Sequence, residues 1–430
     1  MLTSLYTAIS GMNANGTSLS VISDNIANMN TVGFKKSVVS FADILSQTLS
    51  GVSGTYQVGR GVIVNKVIGI FTSGQIESTS NSLDLAIDGD GFFLLNDNGA
   101  RVYTRAGNFS VNKDGYIINA NGAFLQGYLA DVYGNVTGEI GNLKITSNLL
   151  PAVPTTEANI IVNLNSQDPI QTSPFTLDKN GDSINNDPGN YNSSLSLTVY
   201  DSQGSEHLIT IYFVKTAPNT WDANFVYEDP ANPGQLLLAG TNVLTFNTDG
   251  TLANDNSATT ISFNFGTSVS SPQRIIFDFG TGTSEGGDGL NGTTQYASSF
   301  SISNIIQNGY ASGYLINVSI DSSGNLNGIF SNGQTKILGK VALARFNNPQ
   351  GLEKLGRNMF AQSSESGNAI ISTPATSGLG RILSNALELS NVDLAEEFVK
   401  MITAQRGFQA NSRVITTTDE LMQELVNLKR

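Results

Sequence analysis

The chain of 430 residues carries 22 basic and 35 acidic side chains, a net charge of −13, and contains no cysteine. The lack of cysteine excludes disulfides, thiolate metal sites and thiol nucleophiles. A single imidazole, His207, leaves most hydrolase and metal constellations incomplete, and its alternating surroundings predict a strand-surface residue. We therefore expect no enzyme activity, no metal and no cofactor.

Charged residues make up only 13 % of the chain and glycines number 44, which is typical of β structure with many turns. Residues 151–300 hold 15 acidic and 3 basic side chains, so nearly all of the net charge lies there. An acidic surface argues against nucleic acid and anionic membranes as partners. We also expect no membrane insertion, because no run of 18 apolar residues occurs, and no Sec signal peptide, because residues 1–23 lack a basic start.

Residues 390–430 predict a long helix with an apolar side chain at every seventh position. Ser390 and Asp393 resemble a capping box at its start. The repeat predicts a coiled-coil seam of about ten turns. We expect the companion positions to lie four residues along, where only Phe398 and Val426 are apolar, so the seam needs further partners. The stripe comprises Leu387, Leu394, Met401, Phe408, Ile415 and Met422.

Residues 1–30 show the same period, with Leu5, Met12, Leu19 and Ile26 seven residues apart. The simplest arrangement packs the two terminal helices against each other. Because this seam has little apolar surface of its own, we expect both ends to fold only when neighbouring subunits surround them.

Between the helices, alternating apolar residues and Asn-Gly or Asp-Gly turns predict strands. The predicted fold class is mainly β with α-helical termini: two β domains, one inserted in the other, on a coiled coil formed by the N- and C-terminal helices. We expect Trp221 in the core of the inserted domain and a glycine-rich exit linker at 281–292. The predicted parts are a helical domain (1–30 and 390–430), an extended connector (31–70 and 376–389), a discontinuous β domain (71–147 and 297–375) and an inserted acidic outer β domain (148–296).

Two local patterns could hold a cation. The run from Asp178 to Asp182 resembles the front of a calcium loop, but its glycine falls at the wrong position. Asp88 and Asp90 precede two phenylalanines and could hold a cation or act as a carboxylate pair. We interpret both patterns as turns.

Motifs at both ends carry a family resemblance. The N-terminal stretch from Asn25 to Lys35 and the C-terminal stretches 389–398 and 405–411 resemble the signatures of bacterial flagellar rod and hook proteins. Length and the acidic insertion resemble the hook members rather than the rod members. The motif residues are Asn25, Ala27, Asn28, Asn30, Thr31, Gly33, Phe34, Asn391, Val392, Asp393, Gln405, Arg406 and Asn411.

The resemblance implies a structural subunit that leaves the cell unfolded through the flagellar type III export apparatus. Such subunits polymerise beneath a hook cap into a curved, flexible tube with a central export channel. The tube is extracellular, joins the distal rod to the hook–filament junction proteins, and transmits torque as a universal joint. The implied assembly interface is the two apolar stripes together with Phe398, and the implied hinges lie near residues 147 and 297.

Two alternatives remain open. A distal rod or other hook-associated axial protein shares the terminal motifs, but the acidic insertion argues against the rod. A secreted polysaccharide-binding or polysaccharide-degrading β protein fits the glycine and asparagine content. The seven-residue stripes argue against that second class, because a monomeric β protein has no use for them.

Overall fold

The structure is a computed structural model that describes residues 2–44, 60–131, 133–145, 149–177, 190–256 and 260–427. Helix α1, Leu2–Ala27, and helix α2, Leu394–Asn427, lie at the two ends of the chain, and strands fill the region between them. The predicted fold class, mainly β with helical termini that pack together, is confirmed.

The chain forms two compact units. The first unit comprises Met1–Thr146, Ile316–Ile329 and Thr335–Arg430, and the second comprises Ser147–Leu315 and Phe330–Gln334. The first unit is therefore discontinuous in sequence, whereas the second is nearly continuous.

The first ten strands lie in the first unit: β1 Ser37–Asp43, β2 Val62–Gly69, β3 Ile76–Ser78, β4 Leu85–Asp88, β5 Phe92–Asp97, β6 Ala100–Thr104, β7 Phe109–Val111, β8 Ile117–Asn119, β9 Phe124–Ala130 and β10 Val136–Asn142. The next ten lie in the second unit: β11 Leu149–Leu150, β12 Glu157–Asn163, β13 Ser193–Tyr200, β14 Glu206–Ala217, β15 Thr220–Glu228, β16 Leu236–Phe246, β17 Leu252–Asn254, β18 Thr260–Phe263, β19 Gln273–Asp278 and β20 Ser301–Gln307. Strands β21 Gly313–Ile320 and β22 Asn325–Phe330 have residues in both units, and the first unit continues with β23 Thr335–Val341, β24 Leu343–Arg345, β25 Glu353–Gly356, β26 Met359–Ala361, β27 Ile370–Ser372, β28 Arg381–Ser384 and β29 Ala386–Glu388.

In the first unit, strands from the two halves of the chain pair with each other. The antiparallel pairs β3–β29 and β4–β28 join residues on either side of the insertion, as do β5–β24 and β6–β26. A core of buried aromatic rings, including Phe92, Tyr103, Phe346 and Phe360, packs edge to face beneath these strands. The C-terminal segment 381–388 therefore belongs to the β structure.

The second unit is a sandwich of two sheets around one apolar core. One sheet is the antiparallel meander β13-β14-β15-β16-β17, and the other has the order β18-β19-β12-β20. Alternate side chains of both sheets meet inside the sandwich, as the period-2 pattern predicts. Trp221 is fully buried there and donates from Nε1 to Gln295 Oε1 at 2.9 Å, which confirms its predicted place in the core.

The boundary between the two units differs from the predicted domain boundary at residue 297. Residues 297–315 lie in the second unit because β20 pairs antiparallel with β12. The glycine-rich segment 281–292, predicted as a linker, packs against this unit: the Leu252 amide donates to Gly289 O at 3.2 Å. The calcium-like run from Asp178 to Asp182 lies outside the described residues.

Candidate functional site

The two terminal helices form an antiparallel pair. Gly11 of α1 lies against Asn411 of α2, while Asn25, later in α1, donates to Glu397, earlier in α2, at 3.0 Å. Residue numbers therefore rise along one helix as they fall along the other. This pairing brings the two ends of the chain together.

Small and polar side chains form the contact between the helices. They recur every three or four residues on α1 and every three, four or seven residues on α2, spacings that keep them on one face of a helix of an antiparallel coiled coil. Small residues let the two backbones approach closely, and Asn25 donates to Glu397 across the contact. On α1 they are Ala8, Gly11, Asn15, Ser18 and Asn25, with Ile22 as the large apolar member; on α2 they are Glu397, Ala404, Gly407, Asn411 and Thr418.

The predicted apolar stripes lie beside this contact rather than at its centre. On α2 the companions of the stripe lie three residues along, not four as expected: Glu397, Ala404 and Thr418 are buried, whereas Phe398, Gln405 and Asp419 are exposed. The prediction was also wrong for Leu387, which lies in β29 opposite Glu77 and not in a helix. Half-buried stripe residues are Leu5, Met12, Leu19, Ile26, Met401 and Ile415; exposed ones are Leu394, Phe398, Phe408 and Met422.

More apolar surface continues around the helical pair. Val399 and Ile402 are 62 % and 50 % exposed on the outer side of α2. A cleft of about 450 Å³ between the helices is lined mainly by apolar side chains, among them Leu5, Ile9 and Met422. Apolar side chains exposed over several turns are uncommon on a monomeric protein and mark interaction surfaces.

Asn25 anchors α1 to the first strand. Its side chain is almost fully buried and makes a two-way contact with the backbone of Ser37, donating to the carbonyl and accepting from the amide, each at 2.9 Å. The same amide nitrogen donates to the buried carboxylate of Glu397. One carboxamide thus joins α1, β1 and α2.

A buried ionic cluster joins the turn after α1 to strand β29. Lys35 Nζ and Glu388 Oε1 are 2.6 Å apart with both side chains 0 % exposed, and Arg105 Nη1 lies 3.3 Å from Glu388 Oε2. The carboxylate also accepts from the Gly74 amide at 2.8 Å. Burial lowers the pKa of Lys35, and the charge of Glu388 opposes this change. Four distant parts of the chain therefore meet at one carboxylate.

Several motif residues shape the turn between α1 and β1. Gly33 has a φ of +68°, and its amide donates to Glu388 O at 2.7 Å. A methyl group there would lie 2.5 Å from the Ala106 nitrogen, so only glycine fits. Asn28 accepts from Thr31 Oγ1 at 3.2 Å within the same turn.

The start of α2 is held by two further motif residues. Asn391 accepts from the Lys36 amide at 2.7 Å and donates to Ile70 O at 2.8 Å. Asp393 caps the helix by accepting from the amides of Ala395 and Glu396, so it takes the role expected of Ser390. The remaining motif residues divide by exposure: Phe34 is buried, Val392 is half-buried, and Ala27, Asn30, Gln405 and Arg406 are exposed.

An exposed ion-pair network ties α2 to the residue before β1. Glu396 contacts Lys400 at 2.8 Å and Lys36 at 2.9 Å. Hydrogen bonds from these two ammonium groups, with Lys400 the larger influence, lower the pKa of Glu396 to about 2.

Sequence reasoning missed the ionic cluster and the carboxamide contacts of the helical pair. Lys35, Arg105 and Glu388 are far apart in the chain, so no spacing rule connects them. Gly407 and Asn411 were visible inside the C-terminal helix, where glycine and asparagine are unfavourable and need a packing reason. That signal could have found the contact.

Asp88 and His207, both considered for chemistry, make contacts with other side chains. Asp88 pairs with Arg381 at 2.8 Å on the surface of the first unit. His207 contacts Asp201 at 3.0 Å and stacks on Phe265, partly exposed at the start of β14. Among the described residues no cluster of three His, Asp or Glu side chains could hold a metal ion.

No helix of the described chain has both the length and the apolar character needed to cross a bilayer.

Comparison with known families accounts for four stretches of the chain. The two ends match rod-type families and the middle matches hook domains. The matches are "Flagella basal body rod protein" over 5–35, "Flagellar hook protein FlgE/F/G D1 domain" over 86–168, "Flagellar basal body protein FlaE D2 domain" over 163–310 and "Flagellar basal body rod FlgEFG protein C-terminal" over 383–428.

Full-length relatives decide the family. The flagellar hook protein FlgE of Escherichia coli strain K12 is 37 % identical over 428 residues, covering 98 % of this chain and 99 % of the relative. The chain belongs to the flagellar hook protein family. FlgE of Borreliella burgdorferi is 38 % identical over 463 residues, with both chains covered completely. The predicted family and the predicted location in the flagellar hook are confirmed.

A solved hook-family structure shares the fold. The crystal structure of Helicobacter pylori flagellar hook protein FlgE2 superposes with a TM-score of 0.53 at 16 % identity, covering 71 % of this chain and 98 % of that one. At this identity the likeness concerns the fold alone.

Proposed function

We propose that the chain is the structural subunit of the flagellar hook and polymerises through its terminal helical pair into a flexible tube with a central channel. The observation that carries the proposal is the apolar surface that the helical pair leaves uncovered. Within one chain the helices meet through small and polar side chains, while Phe398, Val399 and Ile402 face outward. Neighbouring copies of the same chain supply the matching apolar surface.

A central channel fits the charge of α1. Asp24 is the only charged residue between Leu2 and Ala27. A passage lined by such a helix holds few fixed charges and retains neither acidic nor basic segments of an exported chain.

Membership of the flagellar hook protein family supports our proposal for the other partners of the chain. We propose that the tube is built beneath a hook cap from subunits delivered by the type III export apparatus. One end would meet the distal rod and the other the hook–filament junction proteins. The tube would transmit torque as a universal joint, and no catalytic step is part of this role.

Assembly of purified chain tests the proposal. We expect tubes in negative-stain electron microscopy after addition of a precipitating salt, and only monodisperse particles when residues 1–30 and 390–430 are removed. Ile402→Asn should lower the pelletable fraction at least tenfold, since it places a polar group in the apolar contact. Leu208→Asn is the matched control, because Leu208 is 59 % exposed but lies in the second unit. Equal assembly of both variants would contradict the role of α2.

The alternatives have less support. A rod protein is disfavoured by the match of 163–310 to the D2 domain and by full-length coverage of hook relatives. A polysaccharide-active function does not account for the exposed apolar face of α2.

A further inference from the structure

Two reciprocal contacts join an asparagine of one terminal helix to a glycine of the other. A methyl group at Gly11 would lie 2.8 Å from Asn411 Nδ2, so the Asn411 carboxamide rests directly on the Gly11 backbone. In the same way a methyl group at Gly407 would lie 3.0 Å from Asn15 Oδ1. Each helix contributes one glycine and one asparagine four residues later. We call these four residues the carboxamide lock.

Each carboxamide is also held by its own helix. Asn15 Nδ2 donates to Gly11 O at 2.8 Å, and Asn411 Nδ2 donates to Gly407 O at 3.0 Å. Each glycine therefore makes room for the partner's asparagine and fixes its own. A side chain that is held in this way fits one complementary hole and not a range of positions.

The glycines of the lock need this explanation, because glycine lowers helix stability relative to alanine. The third helical glycine provides the contrast. A methyl group at Gly16 would meet nothing within 4 Å, so that position does not require glycine for packing. Close contact therefore singles out Gly11 and Gly407.

We infer that the carboxamide lock sets the register of the helical pair, and thereby decides which apolar side chains remain for neighbouring subunits. The apolar stripes repeat every seven residues on both helices, so a slip of one heptad exchanges one apolar contact for a similar one. The lock does not tolerate such a slip. It would place Asn15 against Lys400 or Val414 instead of Gly407, where a Cβ atom blocks the carboxamide. Buried asparagines fix register in coiled coils, and the half-buried Asn15 and Asn411 would act by the same logic.

This inference deepens the proposed function, because it names what positions the assembly surface within one subunit. Affinity for neighbours would come from the apolar stripes, and their alignment from the lock. A shift of one heptad moves α2 by about 10 Å along α1, since each helical residue rises by about 1.5 Å. The outward apolar residues of α2 would then no longer match the next subunit.

The test measures register directly in the full chain. Because the chain contains no cysteine, spin labels at Ser20→Cys and Glu420→Cys report one distance between two exposed helical positions. Labelled chain is diluted into an excess of the same unlabelled variant, so that electron paramagnetic resonance reports distances within one chain. After addition of the precipitating salt, which brings neighbouring subunits together, the parent should give one narrow distance, and Gly16→Ala should leave it unchanged.

Two perturbations follow. Gly11→Ala should shift or broaden the distance and reduce the pelletable polymer. Asn15→Ala combined with Asn411→Ala introduces no clash and keeps the apolar stripes, so the helices still pair. It should broaden the distance distribution, because the parts of the helices beyond the intact Asn25–Glu397 contact are then free to shift along each other. A single parental distance in this double variant would overturn the inference.

The outcome for the proposed function is read separately. If the parent shows one narrow distance but never forms tubes, the proposed function fails while the register lock stands. If it forms tubes and the double variant keeps the parental distance, the inference alone fails.

Discussion

Glu388→Gln should destabilise the first unit by removing the charge at the centre of the buried ionic cluster. The carboxylate of Glu388 receives Lys35 at 2.6 Å, the Gly74 amide at 2.8 Å and Arg105 at 3.3 Å, and the side chains of Lys35 and Glu388 are completely buried. The glutamine keeps the shape and one acceptor, but its amide nitrogen adds a donor between two cations. Neutralising one partner of a buried pair costs about 3–5 kcal/mol, and we expect a loss in that range.

The stability that Glu388→Gln loses relative to the parent should become smaller as the pH rises. Burial already lowers the pKa of Lys35 below its ordinary value of 10.5, and Glu388 is the main influence that raises it. In the glutamine variant this pKa falls further. Between the folded-state pKa and 10.5 the unfolded chain then binds more protons than the folded chain, so stability increases with pH in that window. The difference in unfolding free energy between Glu388→Gln and the parent should therefore become smaller towards pH 10.

Tryptophan fluorescence and hydrogen exchange during urea unfolding report the stability of the two units separately. Trp221 is the only tryptophan and is buried in the second unit, so its fluorescence transition should not move. Exchange at Gly33, whose amide donates to Glu388 O, should accelerate strongly. Glu365→Gln is the control, because its contact with Lys66 is 66 % exposed on the glutamate side and solvent screens such a pair. Equal losses in the two variants would refute the reasoning.

Three further predictions concern the junction of the helices with the strands. Asn25→Ala should cost about 2–5 kcal/mol in the unfolding free energy of the first unit, because it leaves both backbone groups of Ser37 without their side-chain partner; a loss below about 1 kcal/mol would contradict this. Gly33→Ala should reduce thermal stability far more than Gly99→Ala, since both have positive φ but only the first meets neighbouring backbone. Carboxyl NMR titration of Glu396 should give a pKa of about 2 that rises towards its ordinary value of 4.5 in Lys400→Met. The small stability that this pair adds is present above pH 4.5 and is lost as the pH falls towards 2.

The sequence predicted the helices because their apolar period extends over many turns without interruption. It did not predict which side of the stripe meets the partner helix. Three and four residues along a helix lie on the same face, and the choice between them depends on side-chain size at the crossing. Phe398 illustrates this: it was expected in the seam and is exposed instead. The pattern of apolar residues therefore identified the apolar face of the helices, whereas the small residues mark where the two helices contact each other.

The cluster at Glu388 and the place of β20 could not be predicted for a different reason. Both depend on pairings between residues that are more than a hundred positions apart. The strands on either side of residue 297 have similar composition, so nothing in the sequence distinguishes the sheet that each one joins. That the ends order only among neighbouring subunits stays a prediction.

If the proposed export delivers the chain from its N-terminus, the cluster at Glu388 also sets an order of events for its folding. The second unit has all its residues once position 334 has emerged. In the first unit β3 and β4 have no partner strands until β28 and β29 arrive, and Lys35 and Arg105 have no shared carboxylate before Glu388 does. The contacts of β3, β4, Lys35 and Arg105 with the C-terminal part of the chain are therefore completed only by the last 50 or so residues.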